Sequence, residues 1–415
     1  MNADAKPRPW VAIACGGTGG HLFPGLAVAG QLKERGCDVA LLISPKDVDQ
    51  QAVKSAVPGG RSSGREAGEP QAAALAAEPP FEIFTLPAIG LQNRNYFSFA
   101  GSFVKSLFSA RRLFRRRRPL AVLAMGGFTS APPVFVAKEL GARTYLHESN
   151  SIPGRANRIL ARFVDEAFVG FPEAGARLKT RKVTHTGTPV RPQFHPRNAA
   201  ACRVALGLDA ARPVVLVVGG SQGASGLNSL VLSALPLLAQ KHWQWLHLTG
   251  PRDFEKVKAA YAAVGLCAVV KPFLAEMELA LGAATAAVSR AGASSLAELA
   301  ALRLPSLLVP FPAAADNHQL FNARNYAQSG AARLLEQTGA APRQVATLLM
   351  ELVEDAPARA GIAAALAPWH APQSAVQIAT LLLRQAFPAG EASATLADSR
   401  ELARGQAESN KVAAA

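Results

Sequence analysis

The sequence predicts an α/β protein with two similar domains and a cleft between them. Its 415 residues exceed what a single hydrophobic core usually holds. Short apolar runs alternate with longer helical patterns, which favours parallel sheets covered by helices. The alternation stops at Pro189, Pro192 and Pro196 and then starts again. This break indicates a domain boundary.

The first domain is predicted over residues 1–188 and contains seven strands. They fall at residues 11–15, 40–44, 81–86, 121–125, 144–148, 166–170 and 183–187. Helical patterns lie between most of them, as at residues 22–35. Residues 45–80 are rich in Ala, Gly, Pro and Ser, so we expect a flexible insertion there.

A linker is predicted at residues 189–198 and a second domain at 199–370. Its six strands fall at residues 214–218, 245–249, 267–273, 286–290, 306–311 and 332–336. A terminal helix is expected within 371–387, and a disordered tail at 388–415. Each domain opens with a strand and a glycine turn, which predicts two similar halves.

The charge balance indicates an anionic partner. The formal net charge is +15, which suits phosphate, nucleic acid or an acidic membrane surface. We expect no nucleic acid partner, because no recognised reading motif is present. The four scattered cysteines indicate free thiols in a reducing compartment. The N-terminus lacks the apolar core of a signal peptide, and no run reaches about 18 apolar residues. We therefore expect a cytoplasmic protein with only peripheral membrane contact.

Metal and hydrolase chemistry are not expected. No His/Cys cluster has zinc spacing, and no GxSxG elbow is present. Asp47 and Asp49 match an Asp-x-Asp metal signature, but they lie at the edge of the low-complexity insertion. We predict no metal site and no cofactor.

Two glycine turns carry the strongest chemical signal. GGTGGH at residues 16–21 and GGSQGA at 219–224 each follow a strand and precede a helix. Glycines allow a phosphate close to the backbone, and a helix N-terminus offers N–H groups. His21 can serve as a general base near neutral pH. The alternative is a purely structural role, in which the glycines form a tight turn between strand and helix and His21 serves in packing.

Four further segments place polar groups after strands, where α/β sheets bind ligands. Glu298 follows a small-residue turn and can accept hydrogen bonds from ribose hydroxyls, although a helix dipole also favours a glutamate there. DNHQ at residues 316–319 suits sugar hydroxyls, with an N-cap by Asp316 as the alternative. HESN at 147–150 and GTPVR at 187–191 are weaker signals, and Arg191 could reach a phosphate.

One basic, aromatic segment at residues 96–118 predicts a membrane-docking helix. Its apolar stripe consists of Phe99, Phe103, Leu107, Ala110 and Phe114, which recur at helical spacing. Phe97 and Phe108 widen the apolar surface. Arg115 and Arg116 belong to a basic cluster that suits an anionic bilayer. One alternative is that the stripe faces the domain core, and another is that part of it is buried while Tyr96–Phe99 stays exposed.

Seven motifs in this order resemble the lipid II-forming bacterial transferases of glycosyltransferase family 28. They are GGTGGH, MGGF at 125–128, HESN, GTPVR, GGSQGA, GASSLAE at 292–298 and DNHQ, and the match covers roughly residues 10–385. The resemblance implies a GT-B fold, with two doubly wound, Rossmann-like domains that face a cleft. It implies inverting transfer of N-acetylglucosamine from UDP-GlcNAc to the C4 hydroxyl of the muramyl sugar of lipid I. A role in peptidoglycan synthesis, cell shape and cell division at the cytoplasmic face of the inner membrane is also implied.

The resemblance assigns roles to individual residues. Ser221 and Arg191 would contact the diphosphate, Leu274 the uracil and Glu298 the ribose. Asn150 and Gln319 would hold the donor sugar, and His21 is the candidate base. The implied donor-binding residues are Thr18, Gly19, Gly20, Asn150, Arg191, Ser221, Leu274, Ala293, Ser294, Ser295, Leu296, Ala297, Glu298 and Gln319. Asn317, His318 and Ser149 depart from what many members carry.

Three other functions remain open from the sequence. One is another GT-B lipid glycosyltransferase, such as a diacylglycerol glycosyltransferase. A second is an enzyme like UDP-GlcNAc 2-epimerase, which the basic aromatic segment disfavours. The third is a non-catalytic UDP-sugar sensor, against which His21 and the two glycine turns argue.

Overall fold

The computed structural model describes residues 8–16, 19–45, 81–88, 96–220 and 223–384. Thr18, Ser221, nearly all of the predicted insertion and the predicted tail lie outside these ranges. Within them the chain forms two parallel sheets, each covered by helices on both faces. The predicted α/β architecture is therefore confirmed.

The first sheet has seven strands in the order β3-β2-β1-β4-β5-β6-β7. The strands are β1 (Trp10–Ala14), β2 (Asp38–Ile43), β3 (Glu82–Thr85), β4 (Ala121–Ala124), β5 (Arg143–Glu148), β6 (Glu166–Val169) and β7 (Val183–His185). The helices of this half are α1 (Gly19–Glu34), α2 (Tyr96–Arg116), α3 (Ala131–Glu139), α4 (Arg155–Leu160) and α5 (Pro172–Gly175). β1 and β4 are buried along their whole length, which explains their continuous apolar letters.

The second sheet has six strands in the order β10-β9-β8-β11-β12-β13. The strands are β8 (Val214–Val218), β9 (Gln244–Leu248), β10 (Ala268–Lys271), β11 (Ala286–Ser289), β12 (Ser306–Leu308) and β13 (Arg333–Leu334). The helices are α6 (Ala199–Ala205), α7 (Ser225–Leu238), α8 (Phe254–Val264), α9 (Met277–Ala283), α10 (Ala293–Ala301), α11 (His318–Gln328), α12 (Pro342–Glu354), α13 (Ala356–Leu366) and α14 (Ser374–Leu383). Several strands are shorter than predicted. β12 ends before Pro310, which has no N–H for a ladder.

The strand orders place both glycine turns at ligand-binding positions. In each sheet, the two strands that follow the opening strand in sequence are added on one side of it, and the later strands are added on its other side. The strand order therefore reverses between β1 and β4 in the first sheet and between β8 and β11 in the second. Such switch points leave a crevice at the carboxyl ends of the strands. The two glycine turns follow β1 and β8, so they border these two crevices.

The chain returns to the first domain after it has formed the second. Ile378, Ala379 and Leu382 of α14 are buried in the same core cluster as residues of α1 and β1. Within the described residues, the polypeptide therefore crosses between the halves twice, once after β7 and once before α14. None of the helices in the described ranges is long and apolar enough to cross a membrane.

The stripe on α2 divides between core and surface. Ala110 and Phe114 are fully buried in the first domain, against a cluster that includes Trp10. The expectation that the whole stripe docks on a membrane is wrong for these two, because they fill the space beside β1 and β4. Phe99 and Phe103 are half-buried, and Phe103 packs edge-on against Phe135 of α3.

The remaining apolar surface of α2 is open. Phe97 is 94% exposed and Phe108 is 68% exposed. Phe108 lines a shallow cavity of about 410 Å³ together with Arg111, Arg112, Arg115 and Arg116. The aromatic and basic side chains that the sequence singled out thus share one exposed face.

Candidate active site

The N-terminal ends of two helices meet across the cleft. α1 follows the glycine turn of β1, and α10 follows the small-residue turn after β11. Ser294 Oγ donates a hydrogen bond to the Gly20 carbonyl oxygen over 3.0 Å. Helix N-termini present backbone N–H groups and the positive end of the helix dipole. A diphosphate is therefore favoured where the two ends converge.

His21 lies in the first turn of α1 and packs against the turn after β4. Gly126 and Gly127 form this turn with φ values of 111° and 77°. A Cβ atom at position 126 would stand 2.8 Å from His21 Cε1. The MGGF motif therefore provides a glycine cradle (Gly126 and Gly127) that leaves room for the imidazole. His21 and Gly16, from the two ends of the GGTGGH motif, thus lie against the glycines of the MGGF motif.

Arg191 and Glu298 form a largely buried pair between the domains. Arg191 Nη2 lies 4.0 Å from Glu298 Oε1. The guanidinium stacks on the rings of Phe23 and Phe194, at 4.4 and 4.9 Å from their centroids. Within the described part of the chain, Arg191 Nε is buried without a hydrogen-bond partner. A bound anionic group would supply that partner.

Burial changes the protonation of both members of this pair. Burial lowers the pKa of Arg191, and the Glu298 carboxylate opposes that shift. Burial raises the pKa of Glu298 to about 7; Arg191 opposes this shift and Glu278 adds to it. Glu298 can therefore change its charge near neutral pH, whereas an arginine keeps its charge.

A cavity of about 470 Å³ lies at the carboxyl edge of the second sheet. It is lined by Gly219, Gly223, Ala224, Ser225, Gly226, Thr249, Arg252, Asp253, Arg290, Phe311, Gln319 and Gln337. Gly223 has a φ of 75°, and a Cβ there would stand 2.4 Å from the Thr249 carbonyl oxygen. The second glycine turn thus allows β8 and β9 to end close together around the cavity.

Arg290 fixes a positive charge in the wall of this cavity. Its Nη1 donates to the carbonyl oxygens of Val309 and Pro310 at 3.0 and 3.1 Å. Its Nη2 donates to Gln337 Oε1 at 2.7 Å. Burial lowers its pKa to about 10, so the side chain stays cationic at neutral pH.

The buried Glu148 organises the loop that carries Asn150. Glu148 Oε1 accepts hydrogen bonds from the backbone N and the Nδ2 of Asn150, at 2.8 and 3.1 Å. Glu148 Oε2 accepts from Gly154 N at 3.0 Å and from Asn157 Nδ2 at 2.7 Å. The Asn150 carboxamide therefore has a fixed orientation, with Nδ2 towards Glu148.

His147 joins the HESN motif to the GTPVR motif. Its Nε2 lies 3.0 Å from the Gly187 carbonyl oxygen, which can only accept, so Nε2 donates. Its Nδ1 lies 3.2 Å from Ser149 Oγ and accepts from it. Burial lowers the pKa of His147 to about 4, so the ring is neutral at physiological pH.

The DNHQ segment contacts both domains. Gln319 Oε1 accepts a hydrogen bond from Phe311 N at 3.0 Å, on the rim of the cavity. Asp316 forms ion pairs with Arg155 and Arg158 of α4, at 3.2 and 2.7 Å. Asn317 occupies the N-cap position of α11, so the predicted N-cap by Asp316 is wrong. The ion pairs direct the Asp316 carboxylate towards the first domain instead.

Asn322 is a polar residue in the cleft that the sequence reasoning missed. It is fully buried and bonds to Asn150, Ser151 and Ala291. It lies three residues after Gln319, on the same side of α11. That i, i+3 spacing is the signal that could have revealed it.

The structure brings most of the predicted site residues to one cleft. Gly20, His21, Arg191, Ser294 and Glu298 lie where α1 meets α10, and Gln319 lines the adjoining cavity. Asn150 joins α11 through Asn322, and Leu274 is buried just after β10. Gly19 opens α1, while Ala293, Ser295, Leu296 and Ala297 belong to the first turns of α10. Their roles towards a ligand stay predictions, as do those of Thr18 and Ser221, which lie outside the described residues.

Family models match both halves of the chain. The model of the glycosyltransferase family 28 N-terminal domain matches residues 11–169. The model of the family 28 C-terminal domain matches residues 214–375. Together the two matches span both parallel sheets apart from β7.

Named relatives extend this likeness over nearly the full length. One relative is a protein of Anaeromyxobacter sp. (strain Fw109-5), which is 36% identical to this chain over 391 residues. The match covers 91% of this chain and 95% of the relative. The relative is named UDP-N-acetylglucosamine–N-acetylmuramyl-(pentapeptide) pyrophosphoryl-undecaprenol N-acetylglucosamine transferase. The crystal structure of Acinetobacter baumannii MurG has a TM-score of 0.66 at 26% identity and covers 91% of this chain and 100% of its own.

A third neighbour shares the fold alone. The crystal structure of a UDP-N-acetylglucosamine 2-epimerase homologue from Listeria monocytogenes has a TM-score of 0.62 at 12% identity. It covers 92% of this chain and 97% of its own. The fold therefore does not by itself separate a transferase from an epimerase.

Proposed function

The chain belongs to glycosyltransferase family 28, and from that premise we propose that it transfers N-acetylglucosamine from UDP-GlcNAc to lipid I. The acceptor group is the C4 hydroxyl of the muramyl sugar of undecaprenyl-pyrophosphoryl-MurNAc-pentapeptide, and the product is lipid II. The names of full-length relatives at 36% identity support this reaction over other family activities. The enzyme would thus serve peptidoglycan synthesis, and through it cell shape and division.

One observation carries the proposal: the N-terminus of α10 meets the N-terminus of α1 beside the Arg191–Glu298 pair. A UDP-sugar laid along α10 would place its ribose near Glu298 and its diphosphate at the helix end. Arg191 would then gain the anionic partner that its buried Nε lacks among the described residues. The donor sugar would face His21 and Asn150.

The same arrangement accounts for an inverting displacement. The C4 hydroxyl attacks the anomeric carbon from the side opposite UDP, and His21 takes its proton. The bond between the anomeric carbon and the diphosphate breaks as UDP departs. The helix ends and Arg191 stabilise the charge that develops on the diphosphate. No covalent intermediate is required, because the configuration inverts in one step.

A peripheral position on the cytoplasmic face of an anionic membrane belongs to this proposal. The acceptor's lipid tail stays in the bilayer, so the acceptor-binding domain must approach that plane. The exposed Phe97 and Phe108 and the arginines of α2 supply apolar and cationic groups for such contact.

The deciding experiment is incubation with UDP-GlcNAc and a lipid I analogue, followed by mass analysis of the lipid product. We expect a gain of one N-acetylhexosamine and stoichiometric release of UDP. Parallel reactions with diacylglycerol and without acceptor act as controls. Glycosylated diacylglycerol would favour a different lipid acceptor. Conversion of UDP-GlcNAc without acceptor would favour epimerase chemistry, and no turnover with any acceptor would favour a sensor.

A further inference from the structure

The carboxamide of Asn322 makes all four hydrogen bonds that its chemistry allows. Its Oδ1 accepts from the backbone N and the Oγ of Ser151, at 2.9 and 3.1 Å. Its Nδ2 donates to Asn150 Oδ1 at 3.0 Å and to the Ala291 carbonyl oxygen at 3.1 Å. An amide side chain offers two donors and two acceptor sites. Asn322 is fully buried, so each of these bonds is shielded from water.

Three of these bonds cross from the second domain to the first. Asn322 lies on α11, whereas Asn150 and Ser151 follow β5. The fourth bond fixes the turn that leads into α10, since Ala291 lies two residues before that helix. One buried side chain therefore joins the Asn150 loop of the first domain to the start of α10 in the second.

The Asn150 carboxamide is held at both of its polar atoms. Glu148 holds the Nδ2 of Asn150, and Asn322 holds its Oδ1. A change at position 322 frees Asn150 to rotate, because only the Glu148 side then restrains it. An unpaired donor or acceptor left in such a buried site is costly.

We propose that Asn322 is a positioning residue that orients Asn150 for the donor sugar across the interface between the two domains. Its bond to the Ala291 carbonyl oxygen anchors Asn322 in the second domain, and its bonds to Asn150 and Ser151 fix the Asn150 carboxamide. This inference rests on the proposed function, because it takes Asn150 as the group that holds the donor sugar. Asn322 acts through Asn150 and does not touch the reacting atoms.

The test compares Asn322→Ala and Asn322→Asp with the wild-type protein. Asp has the same shape and keeps the acceptor for Ser151, but it loses both donors and faces two oxygen acceptors. We expect kcat/KM for UDP-GlcNAc to fall roughly ten- to hundredfold in both variants. The affinity for UDP alone should stay within about threefold of wild type, because UDP lacks the sugar that Asn150 would hold. Gln328→Ala, at the exposed end of the same helix, is the matched control and should change neither quantity.

A double-mutant cycle separates positioning from general stability. In an Asn150→Ala background, Asn322→Ala should lower kcat/KM by less than threefold further, because the residue through which it acts is already gone. Additive losses would overturn the proposal, as would a parallel fall of UDP affinity and thermal stability in Asn322→Asp. Should Asn322→Ala fail to fold, Ser151→Ala removes one crossing bond and should give a smaller loss with the same unchanged UDP affinity.

The wild-type protein distinguishes failure of this inference from failure of the proposed function. If wild type does not transfer N-acetylglucosamine to the lipid I analogue, the proposed function fails and the inference fails with it. If wild type transfers the sugar and Asn322→Asp equals it in kcat/KM, only the inference is wrong.

Discussion

His21 and Glu298 show how much of a functional site can be predicted from individual residues in the sequence. Both were identified from their places after small-residue turns, and the structure puts them on opposite sides of one cleft. The partners that define their chemistry lie far away in sequence. The glycine cradle of His21 comes after β4, and Arg191 beside Glu298 comes from the linker after β7. Turn spacing predicts a local backbone, whereas these contacts depend on how the two sheets pack.

We expect His21→Ala to lower turnover far more than donor affinity. A general base contributes about 10²- to 10⁴-fold to the rate, whereas the proposed contacts to UDP-GlcNAc are spread over many other residues and lie mainly on the second domain. Steady-state kinetics and calorimetry with UDP-GlcNAc measure the two effects. Gly126→Ala is an informative companion, because its Cβ would displace the imidazole from the glycine cradle and should reproduce the kinetic loss. A His21→Ala variant with near wild-type kcat would make His21 a packing residue.

Donor affinity should increase as pH rises from 6 to 8. Burial holds the pKa of Glu298 at about 7, so the folded protein carries the neutral acid below that pH and the carboxylate above it. The carboxylate is the better acceptor for two ribose hydroxyls. If only this form binds well, the affinity for UDP-GlcNAc should rise roughly tenfold over that range. Calorimetry at several pH values checks this.

The matched variants for this pH profile are Glu298→Gln and Glu298→Ala. Gln keeps the shape without the titration, so its profile should be flat. Ala should weaken UDP binding by about 1.5–3 kcal/mol through loss of a charge-assisted pair. A wild-type profile as flat as that of Glu298→Gln would contradict the role given to the carboxylate.

The helix α2 shows why an apolar stripe alone cannot distinguish a core from a membrane. Both environments favour the same letters at the same spacing. The sequence therefore predicted the helix but left its orientation open between membrane docking, core packing and a division of the stripe between the two. Ala110 and Phe114 fill the first domain, and only Phe97 and Phe108 among the predicted membrane phenylalanines are largely exposed. The basic cluster also divides, since Arg117 pairs with Asp38 and stacks on Trp10.

Because Arg117 has a structural role, the membrane test should change only arginines that lie within α2. The variant Arg112→Ser/Arg115→Ser/Arg116→Ser leaves the structural Arg117 in place. Each basic residue near an anionic surface contributes about 1 kcal/mol, so partitioning onto anionic liposomes should weaken on the order of a hundredfold at low salt. Flotation measures it, and UDP affinity should not change. Phe97→Ser/Phe108→Ser should also weaken flotation through lost apolar burial.

The control variant for that test removes the same number of positive charges from other parts of the surface. Lys179→Ser/Lys256→Ser/Arg343→Ser removes three exposed cations that do not belong to α2. It should float nearly as well as wild type. Equal losses in both triple variants would mean that net charge, and not this face of α2, governs membrane contact.

The two domains are joined by more than the linker that the sequence predicts. A cluster of three aromatic rings connects them, with Tyr326 and Trp369 stacked at 4.1 Å and Phe171 at 5.5 Å from Trp369. The proline cluster predicted the first crossing of the chain. The second crossing could not be predicted from the sequence, because the apolar face of α14 could pack equally well against the core of either domain. Only the observed packing of α14 against α1 shows which domain it completes.

That topology predicts a domain-specific loss of stability in Ile378→Ala. Ile378 is fully buried against the core of the first domain although it follows the whole second domain in sequence. Removing a buried isoleucine to alanine costs about 2–5 kcal/mol. The cost should fall on the unfolding transition of the first domain. UDP should stabilise the other transition, because its proposed contacts lie mainly on the second domain.

Thermal unfolding with and without UDP tests this assignment. The transition that UDP does not raise should move to lower temperature in Ile378→Ala, and the UDP-sensitive transition should stay within about a degree or two. Gln377→Ala, on the exposed side of the same helix, should move neither. A single transition that shifts as a whole in Ile378→Ala would show instead that the aromatic cluster and Asn322 couple the domains into one cooperative unit.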